Sequence, residues 1–340
     1  MNTDKIFHGG DPRQAEAEFG RPEAGWLDLS TGINPIAYPL DGLALDGLRH
    51  LPTGLELDAL EAAARRRYGV PERARLISAP GSQAILQILP FLRPPARVCV
   101  LSPTYVEHAH GWRAAGHEVR EVAEWAALAE GDIAVIGQPN NPDGLARRPA
   151  EILDLADHLA TSGGLLVVDE AFCDLDPALS TAGSADRPGL LVLRSFGKFF
   201  GLAGLRLGFA AGTPEIATPI AQRLGPWAVS SLAAEIGRRA LADDRWIEDT
   251  RARLAGDRKR LDQILGRAGM GVIGGTDLFL LTEDDRAPDL YAHLAGAGIL
   301  TRPFPEKPAW LRFGLPGEDS DWARLEAALE GFQASRQSIR

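Results

Sequence analysis

The chain has 340 residues, of which 45% are hydrophobic, and a formal net charge of -10. This length and composition allow one large and one small domain, each with its own hydrophobic core. The acidic balance argues against nucleic acids and anionic membranes as partners, although a local basic pocket can still bind an anionic substrate. The N-terminal sequence lacks the apolar stretch of a signal peptide, and no apolar run reaches membrane-spanning length, so we expect a cytoplasmic protein.

The chain contains two cysteines, Cys99 and Cys173. Cys99 lies inside an apolar run, and Cys173 follows another. Isolated cysteines in such settings are more typical of buried thiols than of a disulfide or a metal site. We therefore predict no metal site.

The first part of the chain predicts an irregular arm followed by a helix. Residues 1–40 are rich in glycine and proline around one short predicted helix over 15–19, which is typical of an arm over the surface. Residues 55–68 place apolar side chains at 57, 60, 63 and 64 with charges between them. This spacing predicts an amphipathic helix that ends at Gly69.

Between residues 75 and 210, short apolar runs alternate with helical patterns. The predicted strands cover 97–101, 133–137, 165–168, 190–193 and 207–210, and the predicted helices cover 82–91, 105–115 and 149–160. This alternation predicts an α/β fold with a mostly parallel sheet covered by helices on both faces. Ligands of such sheets bind at the carboxyl ends of the strands.

The pattern changes after residue 225. Predicted helices cover 231–242, 243–268, 288–297 and 319–332, and predicted strands cover 278–281, 298–301 and 310–313. They predict a smaller α+β domain. The expected organisation is an N-terminal arm over residues 1–40 that packs with the small domain, a large domain over 41–225 and a small C-terminal domain over 226–340.

One lysine lies among glycines directly after the apolar run 190–193. Lys198 has glycines at 197, 201, 204 and 208 around it, and Ser195 and Arg206 flank it. A glycine-rich backbone can approach a ligand closely, and a hydroxyl with a guanidinium suits an anion. The segment therefore predicts a phosphate-bearing cofactor attached through the lysine amine. A glycine-rich turn with a solvated lysine is the alternative.

The segment Ser195-x-x-Lys198 followed by Gly-Leu-Ala-Gly-Leu-Arg206-x-Gly resembles the lysine segment of fold-type I pyridoxal-phosphate (PLP) enzymes of the class I/II aminotransferase family. The resemblance runs from about His8 to the last helix. It implies a large domain with a mostly parallel sheet, a smaller α+β domain and a homodimer. It also implies that Lys198 forms the Schiff base with PLP and that Ser195 and Arg206 bind the cofactor phosphate.

The resemblance extends to two segments that precede the lysine. Gly81, Ser82 and Gln83 match a turn at a helix N-terminus that contacts the phosphate. An ordinary N-cap explains Ser82 equally well. Tyr105 matches an aromatic residue that stacks on the pyridine ring, and a tyrosine of the hydrophobic core is the alternative.

Two further segments imply contacts with the cofactor ring. Asn141 matches a donor to the 3-oxygen of PLP, with Asp143 where the family has threonine. Asp169 ends a hydrophobic strand and matches the carboxylate that pairs with the protonated pyridine nitrogen. Phe172 stands where most aminotransferases of this group have a tyrosine, which leaves the 3-oxygen one donor short.

Candidate substrate-binding residues lie near both ends of the chain. Arg312 matches the residue that binds the substrate carboxylate, and Arg302 matches one that binds phosphorylated substrates. A guanidinium suits both anions, although a surface salt bridge also explains either arginine. His8, Gly32 and Asn141 complete the predicted substrate-binding set.

Two subfamilies fit this length and these arginines, the histidinol-phosphate aminotransferases and the threonine-phosphate decarboxylases of cobalamin biosynthesis. His8-Gly-Gly, Ile33-Asn34-Pro35, Asp169-Glu-Ala-Phe172 and Gly225-Pro-Trp227 resemble the decarboxylases. The resemblance implies PLP-dependent decarboxylation of O-phospho-L-threonine to (R)-1-amino-2-propanol phosphate. Transamination of the histidinol-phosphate type is the alternative, and a non-catalytic PLP-fold binding protein is a more remote one.

Three positions depart from the family pattern near the phosphate groups and the substrate. Leu51 stands where a tyrosine reaches the phosphate site of the neighbouring subunit, and Gly32 replaces an asparagine near the substrate. Gly197 replaces a serine or threonine that helps to bind the cofactor phosphate. More of the phosphate binding is therefore expected to fall on Ser195 and Arg206.

Overall fold

The computed structural model describes residues 9–43 and 45–337. The helices of this part of the chain are α1 Pro12–Phe19, α2 Gly54–Tyr68, α3 Ser82–Ile88, α4 Glu107–Ala114, α5 Pro149–Ala160, α6 Phe196–Phe199, α7 Pro214–Leu224, α8 Ser231–Leu241, α9 Asp244–Arg267, α10 Ala287–Gly296 and α11 Asp319–Gln337. The strands are β1 Leu27–Asp28, β2 Arg75–Ala79, β3 Arg97–Leu101, β4 Glu118–Val122, β5 Ile133–Gly137, β6 Leu165–Asp169, β7 Leu190–Ser195, β8 Gly208–Gly212, β9 Gly271–Thr276, β10 Phe279–Glu283, β11 Ile299–Leu300, β12 Arg302–Pro303 and β13 Trp310–Gly314.

These elements belong to two compact units. One consists of the described residues up to Ile36 and from Asp249 onward, and the larger one of Ala37–Glu248. The domain boundaries predicted after residues 40 and 225 remain a proposal. None of the helices in the described part of the chain combines the length and the apolar character needed to cross a membrane.

The larger unit is built on a seven-stranded sheet with the order β2–β8–β7–β6–β5–β3–β4. The strands from β7 to β4 are parallel to their neighbours, whereas β8 is antiparallel to both β7 and β2. The central strands β6 and β7 are continuous apolar runs because both faces of the sheet are covered, and residues 165–168 and 190–193 are fully buried. The predicted α/β fold with a mostly parallel sheet is confirmed.

Helix α2 shows how local sequence sets an element's ends. The Thr53 hydroxyl accepts a hydrogen bond from the Glu56 amide, and the Glu56 carboxylate accepts one from the Thr53 amide. These bonds satisfy amides that have no partner within the helix. Gly69 ends the helix with a φ of 65°, in the left-handed region that glycine tolerates. The predicted helix over 55–68 is confirmed.

Several elements were not predicted from the sequence, namely β1, β2, β4, β9, β12, α6 and α7. Strand β4 is the edge of the sheet, and most of its side chains are charged and exposed, so it lacks the apolar run that marks the central strands. The predicted helix over 82–91 is α3 followed by a 3-10 turn over Leu89–Leu92, and the one over 105–115 begins two residues later, at Glu107.

The smaller unit contains an antiparallel sheet with the order β12–β13–β10–β9. A short parallel pair joins β1 to β11, in which Leu27 is the partner of Ile299 and Asp28 of Leu300. The N-terminal arm is therefore part of the same unit as the C-terminal strands.

A buried ion cluster connects the loop after β6 to strand β7 in the larger unit. The Arg194 guanidinium donates to the Glu170 carboxylate at 2.9 Å and to the Asp174 carboxylate at 2.7 Å, and all three side chains are buried. Burial lowers the pKa of Arg194, but the charges of Asp174 and then Glu170 raise it well above its ordinary value. The cluster fixes the positions of the residues next to it, Asp169 and Ser195.

We expect Arg194→Met to lower the free energy of unfolding by about 3–5 kcal/mol, because it leaves two buried carboxylates without their cation. The matched control is Arg97→Met on β3, whose partner is the half-exposed Asp132. Breaking that surface pair should cost less than about 1 kcal/mol. Urea unfolding of the two purified variants checks this, and equal losses would contradict it.

Candidate active site

Asp169 lies at the centre of the carboxyl edge of the sheet. In the strand register it is the neighbour of Gly137 on β5 and of Leu193 on β7. Adjacent strands lie about 4.8 Å apart. The loops that carry Asn141, Phe172 and Lys198 therefore all start from the same short stretch of sheet edge.

The two carboxylate oxygens of Asp169 have different surroundings. Oδ2 lies 2.9 Å from Nε2 of His108, and both side chains are buried. Oδ1 is buried and finds no hydrogen-bond partner among the described residues. Because a buried carboxylate oxygen without a donor is costly, Oδ1 is suited to accept a hydrogen bond from an N–H group of a ligand.

Lys198 follows the sheet edge on the short helix α6, directly after β7. Its side chain is half-buried, and Nζ lies 5.9 Å from the centre of the Phe172 ring. The residue that departs from the family's tyrosine is therefore beside the lysine amine. An aromatic ring at this distance attracts a cation weakly and donates no hydrogen bond.

The predicted phosphate-binding residues meet around Gly208 on β8. Gly208 is the register partner of Ser195, and a Cβ on it would lie 2.3 Å from the amide nitrogen of Ser82. Gly81 has a φ of 86°, and a Cβ there would lie 2.7 Å from Nη2 of Arg206. The absence of side chains at these two glycines brings the Ser82 turn, Ser195 and Arg206 together.

Close packing explains why residue 197 is a glycine. A Cβ at this position would lie 2.7 Å from the Cα atom of Ala203, in the loop that carries Arg206. The glycine therefore lets the lysine helix pack directly on that loop. Arg206 itself is exposed and has a φ of 55°, and its Nη1 donates to the Ala203 carbonyl at 3.1 Å.

Tyr105 is held by a hydrogen bond to Gln83. The Tyr105 hydroxyl donates to Oε1 of Gln83 at 3.1 Å, and Nε2 of Gln83 donates to the buried Glu107 at 3.3 Å. The ring of Tyr105 meets the His108 ring edge-on at 5.6 Å. Gln83, predicted as a phosphate contact, thus also orients the aromatic ring that the family stacks on its cofactor.

His108, which contacts Asp169, was not predicted from the sequence. Its ring also lies 3.2 Å from the Thr104 hydroxyl, measured from Nδ1. The available signal was its position three residues after Tyr105, because residues at that spacing share one face of a helical turn. Asn141 is half-buried in the loop after β5, where Asp143 shapes the turn by accepting from the Leu145 amide at 3.0 Å.

Two arginines face each other across strands of the smaller unit. Arg302 on β12 is the register partner of Arg312 on β13. Arg312 is buried and donates through Nη2 to the Ser30 carbonyl at 2.8 Å, with its guanidinium 4.8 Å from the centre of the Phe279 ring. Burial, and next the positive charge of Arg302, lower the pKa of Arg312, and the negative charge of Asp28 offsets part of this. An anion bound here would offset both effects.

The N-terminal arm packs against the Ser30 carbonyl, which Arg312 also contacts. The Gly10 amide donates to Oγ of Ser30 at 2.8 Å, and a Cβ on Gly9 would lie 2.5 Å from the Ser30 carbonyl oxygen. Gly32 is buried two residues further on. His8 lies outside the described residues, but the two glycines that follow it are next to the residue that Arg312 contacts.

These residues are distributed over both units. The candidate cofactor-binding residues and Lys198 belong to the larger unit, whereas Gly32, Arg302 and Arg312 belong to the smaller one.

Residues 43–329 match the family of class I and II aminotransferases, and the chain belongs to this family. Among its relatives are a threonine-phosphate decarboxylase from Pseudomonas aeruginosa, which is 46% identical and is matched over 96% of this chain and 98% of its own, and one from a Sinorhizobium species, which is 44% identical over 95% and 97%. The fold is also similar to a Sinorhizobium meliloti histidinol-phosphate aminotransferase in complex with pyridoxal-5'-phosphate. That structure has a TM-score of 0.81 and 21% identity over 96% of this chain and 94% of its own.

The residues of the larger unit fit PLP, the cofactor of this family. Oδ1 of Asp169 offers the buried acceptor that the ring nitrogen needs. The Ser82 turn, Ser195 and Arg206 bring amide, hydroxyl and guanidinium donors together for its phosphate. The amine of Lys198 is the group that would bind its aldehyde. Among the residues that the structure describes, no group of three histidine, cysteine or acidic side chains could hold a metal ion.

We expect Gly81→Ala to weaken PLP binding about tenfold or more, because the new Cβ displaces the Arg206 guanidinium and so removes charged hydrogen bonds. Gly116→Ala is the matched control. Gly116 has the same φ of 86°, but a Cβ there meets nothing within 4 Å. Titration of the two PLP-free variants with PLP, followed by absorbance, measures the affinities, and equal affinities would contradict the role of Arg206.

Proposed function

We propose that this protein decarboxylates O-phospho-L-threonine with PLP and releases (R)-1-amino-2-propanol phosphate, for cobalamin biosynthesis. Two relatives named threonine-phosphate decarboxylase, which match nearly the whole chain at 46% and 44% identity, support this function. The structural observation that favours it is the pair Arg302 and Arg312. A cytoplasmic location is supported by the sequence alone and stays a prediction.

The arginine pair suits a substrate with two anionic groups. Two guanidinium groups on neighbouring strands repel each other, and the buried Arg312 has also lost hydration, which the charge of Asp28 offsets only in part. A phosphate and a carboxylate on one small molecule offset both costs through charge-assisted hydrogen bonds. O-phospho-L-threonine carries both groups, whereas histidinol phosphate carries a phosphate and no carboxylate. We therefore assign the carboxylate to Arg312 and the phosphate to Arg302.

Three residues of the larger unit, Asp169, Lys198 and Phe172, have distinct roles in this mechanism. When bound, PLP supplies a conjugated ring that accepts the electron pair left at the substrate's Cα when carbon dioxide departs. Asp169 holds positive charge at the ring nitrogen through Oδ1. Lys198 would attach the cofactor through Nζ until the amino group of the substrate displaces it, and the freed and protonated amine would then give Cα its proton. Phe172 covers one side of that amine with an apolar ring.

The arginines decide which bond at Cα breaks. The bond that is lost has to stand perpendicular to the cofactor ring, so the orientation of the substrate selects between loss of carbon dioxide and loss of a proton. Anchoring the carboxylate and the phosphate at separate guanidinium groups fixes that orientation. His8 is an additional candidate for this selection.

Transamination of the histidinol-phosphate type is the second candidate function. The similarity to the Sinorhizobium meliloti aminotransferase favours it at the level of the fold, and a keto acid would then supply the carboxylate for Arg312. A non-catalytic role is disfavoured because Lys198, Asp169, Asn141 and Arg206 are all retained.

The deciding experiment incubates the PLP-loaded protein with O-phospho-L-threonine in the absence of any keto acid. We expect equal amounts of carbon dioxide and aminopropanol phosphate, and a rate lowered more than about 10³-fold in Lys198→Ala because the covalent attachment is lost. Arg302→Gln should raise KM about tenfold or more through the loss of a charged contact. Arg267→Gln, which breaks an exposed pair in the same unit, is the control for Arg302.

Two other results would contradict the decarboxylase function. Amino transfer from histidinol phosphate to 2-oxoglutarate without release of carbon dioxide would establish the aminotransferase. The lack of both reactions, together with the lack of a PLP absorbance band, would favour the non-catalytic alternative.

We further propose a homodimer that covers an exposed apolar segment between residues 40 and 55. Leu45, Leu48 and Leu51 are each more than 60% exposed, and Leu55 is 83% exposed. Such a concentration of exposed leucines is typical of a protein interface. Leu51 occupies the position at which the family places a residue that reaches the neighbouring subunit, so an apolar contact replaces a polar one here.

We expect Leu48→Asp to shift the protein from dimer to monomer, because a charge is costly in the apolar centre of an interface. Phe91→Asp is the control, since Phe91 is similarly exposed, at 57% against 62%, and lies outside this segment. Sedimentation velocity over a range of concentrations reports the change. A monomeric wild type, or identical behaviour of the two variants, would refute the interface.

A further inference from the structure

A chain of hydrogen bonds connects Asp169 to Asp143 inside the larger unit. Its distances are 2.9 Å from Asp169 Oδ2 to His108 Nε2, 3.2 Å from His108 Nδ1 to Thr104 Oγ1, 2.6 Å from Thr104 Oγ1 to Asn140 Oδ1 and 2.8 Å from Asn140 Nδ2 to Asp143 Oδ1. His108, Asn140 and Asp169 are buried. The groups at the Asp143 end have fixed donor or acceptor roles, and these determine which atom donates in each of the other hydrogen bonds.

The side-chain amide of Asn140 has one allowed orientation. Its Nδ2 group donates to the Pro103 carbonyl at 2.9 Å and to Oδ1 of Asp143 at 2.8 Å. Oδ1 of Asp143 also accepts from the Leu145 amide, so it acts as an acceptor. The reversed amide would place a carbonyl oxygen against two acceptors, which is repulsive. Oδ1 of Asn140 therefore faces Thr104.

This orientation determines what Thr104 does. A carboxamide oxygen has no proton, so the Thr104 hydroxyl donates its single proton to Asn140 Oδ1. The same hydroxyl can then only accept at its second contact, which is Nδ1 of His108. Nδ1 of His108 therefore carries a proton.

A second proton follows at the other side of the ring. Nε2 of His108 and Oδ2 of Asp169 are 2.9 Å apart, and a bare ring nitrogen facing a carboxylate oxygen would be two acceptors in contact. One proton lies between them, on either atom. The pair of His108 and Asp169 thus carries two protons and no net charge, which also reduces the cost of its burial.

We propose that Asp143, Asn140 and Thr104 are positioning residues that fix these two protons, so that Oδ2 of Asp169 is held by His108 and Oδ1 remains for the nitrogen of the cofactor ring. Asp143 stands where the family's segment has threonine, and this sequence of donors and acceptors gives that difference a role. This role of the three residues applies to decarboxylation and to transamination alike, because both reactions need the same cofactor at Asp169.

A second buried histidine provides an internal reference. The Ala96 amide donates to Nδ1 of His117 at 3.2 Å, so that nitrogen is bare. Nε2 of His117 lies 2.8 Å from the Pro90 carbonyl, so it carries the proton. The two buried rings are therefore expected to show opposite protonation at Nδ1 within one protein.

The test is the ¹⁵N spectrum of the histidine side chains, recorded on PLP-free and PLP-loaded protein, with His108→Gln and His117→Gln to assign two of the seven histidines. We expect a protonated Nδ1 in His108 and a bare Nδ1 in His117. Thr104→Ser keeps the hydroxyl and should leave His108 unchanged. Thr104→Val has nearly the same shape and no acceptor, so the fraction of His108 with a protonated Nδ1 should fall.

A second pair of variants tests the far end of the chain. Asp143→Asn keeps an acceptor for Asn140 and should preserve the protonated Nδ1, whereas Asp143→Leu should produce a population with a bare Nδ1. The proposal is wrong if Nδ1 of His108 is bare in the wild type, a result that needs no variant to fold. It is also wrong if folded Thr104→Val keeps the same fraction of protonated Nδ1 as the wild type.

Discussion

The buried carboxylate of Asp169 is the constraint on which the rest of the site depends. A charged group at the end of an apolar central strand is stable only if each oxygen has a partner. His108 supplies one partner, and the second oxygen is left for a ligand. If the cofactor binds at Oδ1 as we propose, the helix that carries His108 and the loop that orients its ring through Asn140 would act on the cofactor without touching it. The ion cluster around Arg194 holds the same carboxyl edge of the sheet, because Glu170 directly follows Asp169 and Arg194 directly follows Leu193, the register partner of Asp169.

The phosphate end of the site depends on close packing of backbone. Gly208 lets strand β8 pass against the turn at Ser82, Gly81 leaves room for Arg206, and Gly197 lets the lysine helix pack on the Arg206 loop. A side chain at any of these positions would separate groups that we propose to bind one phosphate. In the smaller unit the corresponding feature is electrostatic, since Arg302 and Arg312 are adjacent cations that we propose to bind an anionic substrate.

The predictions that succeeded rest on local patterns. The apolar runs at 165–168 and 190–193 predicted strands because a strand covered on both faces is apolar throughout. The edge strand β4 was missed because a charged, exposed strand has no such run. His108 was missed for a different reason: it contacts a residue 61 positions away, and no spacing along the chain records that contact. The hydrogen bonds of Gln83 to Tyr105 and of Asn140 to Thr104 could not be predicted for the same reason, because these residues are also far apart along the chain.

The sequence by itself determined the family, the alternation of strands and helices, and the residue types of the lysine segment. Each of these depends only on residues that are close together along the chain. Only the tertiary structure decided which groups meet. It placed Gly81 against Arg206, Ser195 beside Gly208, and Arg302 opposite Arg312. It also decided the direction of the hydrogen bonds between Asp143 and Asp169, since a hydroxyl or an imidazole becomes donor or acceptor only through the partner that the fold brings to it.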